Sequence, residues 1–237
     1  MTLDPSLLIH DYDLLEEIEK ATARLVVRAI TDFPFREIVN VFSQEVDKVA
    51  DIGEDLTREA LDRVGTSVIM FRLSGKMDYK RARYLFLPEY EVRQALLVDS
   101  KAEKNSTVAR MQQGQTSMVI RQIRSGKVVD EPGGLTPTIS HADGDLLTTT
   151  MFVKYSYVEE HRQKTLVAIN VIALPNGMLQ DRYNPTPEDN IWNADPNSPR
   201  RGEPFRTRIN LRKLRAKASW RVQTVPADTS RRNLWTE

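Results

Sequence analysis

A central mixed β-sheet flanked by helices, in one domain of the α/β class (α+β mixed), is the fold this sequence predicts. Three observations carry that expectation. Amphipathic helical periodicity fills the first 65 or so residues, the following segments are mostly rich in β-branched and aromatic residues, and no linker separates the two parts. A chain of 237 residues can bury one substantial core.

The helical part comes first. From Asp13 to Ile30, apolar residues recur at Leu14, Ile18, Ala21 and Leu25, with Leu15, Val26 and Ile30 beside them, which gives a helix with one buried face. A second helix is expected after Pro34, a residue suited to a first helical turn, running to about Val49 with Ile38, Val41 and Phe42 inward. A shorter third is expected from Asp55 to Val64.

The pattern then changes to strands. SVIMFRL (67–73), MDYKRARYLFL (77–87) and RQALLVDSKA (93–102) read as three, with Gly75 and Pro88–Tyr90 as turns. Residues 106–118 read as a polar helix. VIRQIRSGKVVDE (119–131) reads as a hairpin turning at Ser125-Gly126. LLTTTMFVKYSYV and KTLVAINVIALP follow as long strands. Residues 184–204 hold five prolines and read as a long loop, then PFRTRINL as a strand, a basic segment, and a last strand WRVQTV.

Composition narrows the chemistry. The absence of cysteine excludes disulfides, thiolate metal sites and cysteine nucleophiles, and suits a cytoplasmic setting. No apolar run is long enough to span a membrane, and the acidic N-terminus lacks the features of a secretory signal, so no membrane association is expected. The net charge of +1 conceals an asymmetry. Residues 1–66 carry 15 acidic and 7 basic side chains, whereas residues 200–232 carry 11 Arg/Lys against Glu203 and Asp228. A cationic end of this kind can neutralise DNA phosphates, or can be a solvated basic helix and tail.

Phosphate-loop, dinucleotide-binding and nucleophile-elbow signatures are missing. His141–Asp145 (HADGD) fits no metal-binding spacing and reads as a polar turn, and His10 and His161 stand alone as surface residues. What remains is a carboxylate, a gap, and carboxylate-x-lysine: Asp78, Asp99 and Lys101. Hydrolysing a phosphodiester in line requires a cation such as Mg²⁺ on the scissile phosphate and an attacking water of lowered pKa. Mg²⁺ takes oxygen ligands and keeps several waters, so Asp78, Asp99 and the Ser100 carbonyl suffice, with Mn²⁺ able to substitute. Asp99 and Lys101 are two apart on a strand and share a face. The tripeptide alone is weak, since it recurs as Asp78-Tyr79-Lys80, and charges after a buried strand also serve as simple solvent caps.

MDYKRARYL and ALLVDSKA, then RYNPTP, SPRRGE and RTRINLRKLRAKASWRVQ, resemble in order and spacing the SfiI restriction endonuclease family. The similarity runs from about residue 10 to residue 225. The resemblance implies the PD-(D/E)xK restriction-endonuclease-like fold, with Met77 standing where the superfamily label has proline. It implies Mg²⁺-dependent double-strand cuts at an interrupted, GC-rich palindrome, with catalysis by Asp78, Asp99 and Lys101. It also implies action as a homodimer or homotetramer on double-stranded DNA, beside a cognate DNA methyltransferase. Arg206 and Arg208 match the family's recognition strand and are expected to read guanines, with Arg200 and Arg201 on phosphates and Lys104 and Asn105 near the cut. The single endonuclease domain, 1–237, would then comprise a helical part (10–65), a catalytic sheet (66–175), a recognition loop and strand (176–225) and a loose tail (226–237). The readings left beside this one are a sequence-nonspecific repair nuclease of the same superfamily and a DNA-binding protein without catalysis.

Overall fold

The computed structural model describes residues 2–32, 38, 40, 49–63, 67–68, 82–161, 163–195, 205–228 and 235–237. Its centre is a seven-stranded mixed sheet. Strands β1 (Ser67–Val68), β2 (Ala82–Leu87), β3 (Val92–Lys104), β8 (Leu146–Glu160), β9 (Gln163–Leu174) and β12 (Val222–Pro226) lie side by side in that order, and β7 (Thr138–Ile139) also pairs with β8. The β3–β8 pairing is parallel and the others are antiparallel. The expected mixed sheet with helices is thus the fold observed.

Helix α1 (Tyr12–Thr31) begins where the Asp11 side chain accepts a hydrogen bond from Leu14 N. It buries Leu15, Ile18, Ala23, Val26 and Ile30 against the sheet, and Thr22 Oγ1 donates to Gln94 Oε1 of β3 at 3.0 Å. One buried ion-paired cluster fastens it further. Arg221, fully buried, donates to Glu19 Oε2 at 2.7 Å and to Tyr183 Oη at 2.6 Å, and that hydroxyl donates to Glu16. The desolvation of such buried charges offsets much of their mutual attraction, so the cluster adds little net stability.

Helix α2 (Val49–Asp62) is already formed at Val49, six residues before the Asp55 expected from periodicity. Gly53 in its first half explains the miss. A glycine weakens helix propensity, yet here a Cβ would come within 2.9 Å of the Tyr155 ring, so close packing on β8 selects it. Most of the helix predicted after Pro34, and residues 69–81 of the first two predicted strands, lie outside the described residues.

The polar helix expected at 106–118 is instead strand β4 (Val108–Gln112) followed by the 3₁₀ turn Gln113–Gln115. β4 alternates buried Ala109 and Met111 with outward Val108, Arg110 and Gln112. Its polar residues form one face of a second sheet, β10 (Trp192–Ala194), β11 (Arg206–Asn210) and β4, all antiparallel. β10 therefore interrupts the proline-rich stretch that sequence alone reads as loop. β5 (Ile120–Arg124) and β6 (Lys127–Glu131) form the expected hairpin, turning with φ of 50° at Ser125 and 75° at Gly126. The basic segment is helix α4 (Leu211–Lys217), following the single-turn α3 (Gln180–Tyr183), and is capped by the Asn210 side chain.

Within the tail expected to be loose over 226–237, the described residues 235–237 are held in place. Trp235 packs on the core, Thr236 N donates to Gln223 Oε1 at 3.0 Å, and Glu237 pairs with Lys20 and Arg24 of α1. Among the described residues, no helix is long and apolar enough to cross a membrane.

Candidate active site and DNA interface

β3 brings its charged pair to the surface by leaving the core part-way along its length. Residues 94–97 are buried, residues 98–103 are half-buried and Lys104 is exposed. Asp99, Lys101 and Glu103 alternate onto one face, opposite the helices. The parallel register sets Phe152, Lys154 and Ser156 of β8 beside them. Lys101 Nζ lies 3.4 Å from Asp99 Oδ2 and 5.3 Å from the Phe152 ring centroid. Both charged side chains are about four-fifths buried, with exposures of 20% for Asp99 and 22% for Lys101. Their charges are therefore less screened than on an open surface.

The second sheet supplies the remaining partners. Lys101 Nζ donates to the Arg110 carbonyl at 3.1 Å and to Gln115 Oε1 at 3.3 Å, and Gln115 Nε2 donates to Asp99 Oδ1 at 2.8 Å. Beneath the connection from β3 to β4 sits Lys154, 1% exposed. Its ammonium donates to Ser106 O, Ser106 Oγ and Val108 O at 3.1, 2.8 and 2.5 Å and faces Glu103 at 3.7 Å. Burial lowers its pKa, against the pull of Glu103. A buried ammonium thus staples β3 to the strand that follows it.

Arg206 and Arg208 share the half-buried face of β11, while Thr207 and Ile209 between them are buried. Register places Arg208 opposite both Arg110 of β4 and Asn193 of β10, and Arg206 opposite Gln112. The face therefore carries a third arginine, Arg110, and an acid, Asp195, that pairs with Arg208. The expected polar helix hid Arg110. Nothing local in sequence could have paired Asp195 or Gln115 with their partners. Of the other expected positions, Ser100 lies between Asp99 and Lys101 on β3. Lys104 and Asn105 are exposed, and Lys104 Nζ faces Glu159 at 3.0 Å, which raises its pKa. Asp78, Arg200 and Arg201 lie outside the described residues. His141–Asp145 is a turn, as expected, with Asp143 N donating to His141 Nδ1 at 3.1 Å. Among the described residues, no three His, Cys, Asp or Glu side chains gather as a metal cluster.

The residue pattern of the family described as type II restriction enzyme SfiI matches residues 16–225 of the chain. The chain belongs to the SfiI restriction enzyme family. It is 36% identical over 228 residues to the type II restriction enzyme SfiI of Streptomyces fimbriatus, covering 90% of this chain and 84% of that protein. Its fold matches a crystal structure of the tetrameric restriction endonuclease SfiI bound to cognate DNA with a TM-score of 0.83 and 31% identity. That match covers 98% of this chain and 91% of the other. It also matches the restriction endonuclease BglI bound to its DNA recognition sequence, with a TM-score of 0.72 over 95% of each chain. Identity there is 14%, so that likeness speaks for the fold alone. Members of the SfiI family are site-specific endonucleases, and the resemblance carried by the sequence motifs is a true family relationship.

Proposed function

We propose that this SfiI-family chain makes Mg²⁺-dependent double-strand cuts at an interrupted, GC-rich palindrome, with Asp99, Lys101 and Asp78 as its catalytic group. The observation that carries the reading is the Asp99–Lys101 pair, 3.4 Å apart where β3 leaves the core and hydrogen-bonded to the strand beside β11.

The donor set suits a hard cation. Asp99 offers carboxylate oxygens, the Ser100 carbonyl a neutral oxygen, and Asp78 a second carboxylate, while water completes the coordination that Mg²⁺ or Mn²⁺ demands. A divalent cation held there supplies Lewis-acid polarisation of the phosphate and acidification of a water. The chain's own residues do the rest. Lys101 Nζ donates toward the charge that develops on the scissile phosphate, in a site shielded enough to strengthen that interaction. Asp99 keeps its orientation through Gln115.

Arg206 and Arg208, alternate residues on one strand face, suit bidentate contacts to guanine O6 and N7, which favours a GC-rich site. Arg200 and Arg201 contact phosphates, and Lys104 and Asn105 lie toward the cut. A palindrome calls for a two-fold symmetric assembly, and the SfiI structure that this fold matches is a DNA-bound tetramer, so this chain acts as a homo-oligomer. An enzyme that cuts its own genome's sites requires a protecting methyltransferase of the same specificity.

Plasmid digestion in Mg²⁺, Ca²⁺ and EDTA, with sequencing of the ends, tests this. Discrete fragments in Mg²⁺ alone are expected. A smear would mean a nonspecific nuclease, shifted but intact plasmid a DNA-binding protein, and cutting in excess EDTA a different mechanism.

A further inference from the structure

We infer that Gln115 is a positioning residue that ties Asp99 and Lys101 to the base-reading sheet, so that the cleavage step itself discriminates between sites. The inference rests on the catalytic reading of Asp99 and Lys101 given above. A carboxamide has one accepting oxygen and one donating nitrogen in a fixed plane. Gln115 uses both ends on the pair: Nε2 donates to Asp99 Oδ1 at 2.8 Å, and Oε1 accepts from Lys101 Nζ at 3.3 Å. The terminal torsion of an aspartate is soft. With one oxygen held by Gln115, the other is turned to face Lys101.

The same Oε1 accepts from Gln112 N at 2.9 Å, and the Gln112 side chain accepts from Gln115 N, a reciprocal lock across the 3₁₀ turn. Gln112 is the register partner of Arg206, and Arg110 that of Arg208. The turn is itself anchored: Gln113 N donates to Phe205 O at 3.4 Å, and Gln113 Nε2 donates to Pro132 O at 2.7 Å and Glu131 Oε1 at 3.0 Å. One residue therefore separates the strand that pairs with the reading strand from the carboxylate. When a wrong base keeps β11 from seating, β4 shifts with it and Gln115 carries the error to Asp99 and Lys101. A misplacement of about 1 Å is enough to slow such chemistry by about 10²-fold.

The test uses the full chain and duplexes built from the site mapped by the plasmid digest, intact or with one recognition pair changed. Gln115→Met keeps an unbranched side chain of similar length and removes both polar ends. The single-turnover cleavage rate on the intact site should fall about 10²-fold, while affinity for that duplex in Ca²⁺ and the thermal melt stay as in the parent. The ratio of intact-site to altered-site rates should narrow by about tenfold. Should Gln115→Met lose its cooperative melt, Gln115→Glu carries the same comparison. It keeps the acceptor for Lys101 and Gln112 N but not the donor to Asp99, and the same slowing at unchanged affinity is expected. Parent-like rates, or rate and affinity falling together, overturn the proposal. Asp99→Ala run alongside separates the failures. If it cuts, the catalytic reading falls and takes this inference with it. If it is inert while Gln115→Met stays active, only the role of Gln115 is refuted.

Discussion

Asp195 Oδ1 accepts from Arg208 Nε at 2.7 Å and lies 2.6 Å from its Nη2, and the aspartate side chain is only 10% exposed. A carboxylate so close to an arginine proposed to read DNA would repel phosphate, so it is a cost unless it fixes the guanidinium fork for one purpose. Asp195→Asn should therefore lower the ratio of cognate to random affinity by about tenfold, near 1.4 kcal/mol, while random duplex binds slightly tighter. Anisotropy titrations on both duplexes check this. Equal shifts on both would mean that Asp195 sets no specificity.

Arg206→Ala and Arg208→Ala should each cost about 1–3 kcal/mol per contact on the cognate site, doubled by two-fold symmetry, with little change on random DNA. Arg200→Ala and Arg201→Ala should weaken both duplexes alike and reduce the salt slope by about one per lost contact. Titrations at several salt concentrations separate the patterns. Arg206 and Arg208 following the second pattern would make them phosphate clamps.

Asp99→Ala and Asp78→Ala should abolish cleavage and leave binding in Ca²⁺ intact. Lys101→Ala should slow single-turnover cleavage by on the order of 10²-fold or more with metal binding retained. Lys80→Ala, in the chance Asp78-Tyr79-Lys80 match, should matter far less. Equal losses from the two lysines would show that the active face is wrongly assigned.

Lys154→Met removes a buried ammonium and leaves Ser106, Val108 and Glu103 without it. Unfolding free energy should fall by about 2 kcal/mol, read from urea midpoints at unchanged slope. A variant as stable as the parent would show that the β3–β4 connection needs no such staple.

Glu16 links pH to stability. Burial alone would raise its pKa, but the Tyr183 hydroxyl and the Arg221 and Arg182 guanidiniums outweigh it and hold the carboxyl below its ordinary range. As pH falls through that range the unfolded chain takes up the proton first, so this contribution, complete above the ordinary carboxylate pKa, is lost on going down to the folded value. The gap in stability between parent and Glu16→Gln should be widest near neutrality and close as the solution is acidified. A gap that widens in acid would reverse the sign assigned here.

Much of this was legible where local pattern and tertiary role agree. The stripe from Leu15 to Ile30 is helical because its buried face repeats at the helical period, and α1 spans Tyr12–Thr31. Asp99 and Lys101 stood out because an apolar run ends in them, and β3 does leave the core there. β4 was illegible for the opposite reason. Arg110 and Gln112 are polar because they share an outward face with Arg208 and Arg206, their register partners on β11, which lies far along the chain. The hydrogen bonds of Gln115 and Asp195 join segments whose closeness no spacing rule encodes.

The bond from Lys101 to Arg110 ends on a main-chain carbonyl, not on the arginine side chain. Every amino acid has that carbonyl, so residue 110 can change identity without costing the lysine its acceptor. An insertion or deletion in β4 would move the carbonyl and cut the link. Divergence of target sequence in such an enzyme therefore has an open route and a closed one. On the proposed assignment, residue 110 can be rewritten in a working nuclease, whereas the length of the strand that bears it is held fixed by the lysine that needs its carbonyl.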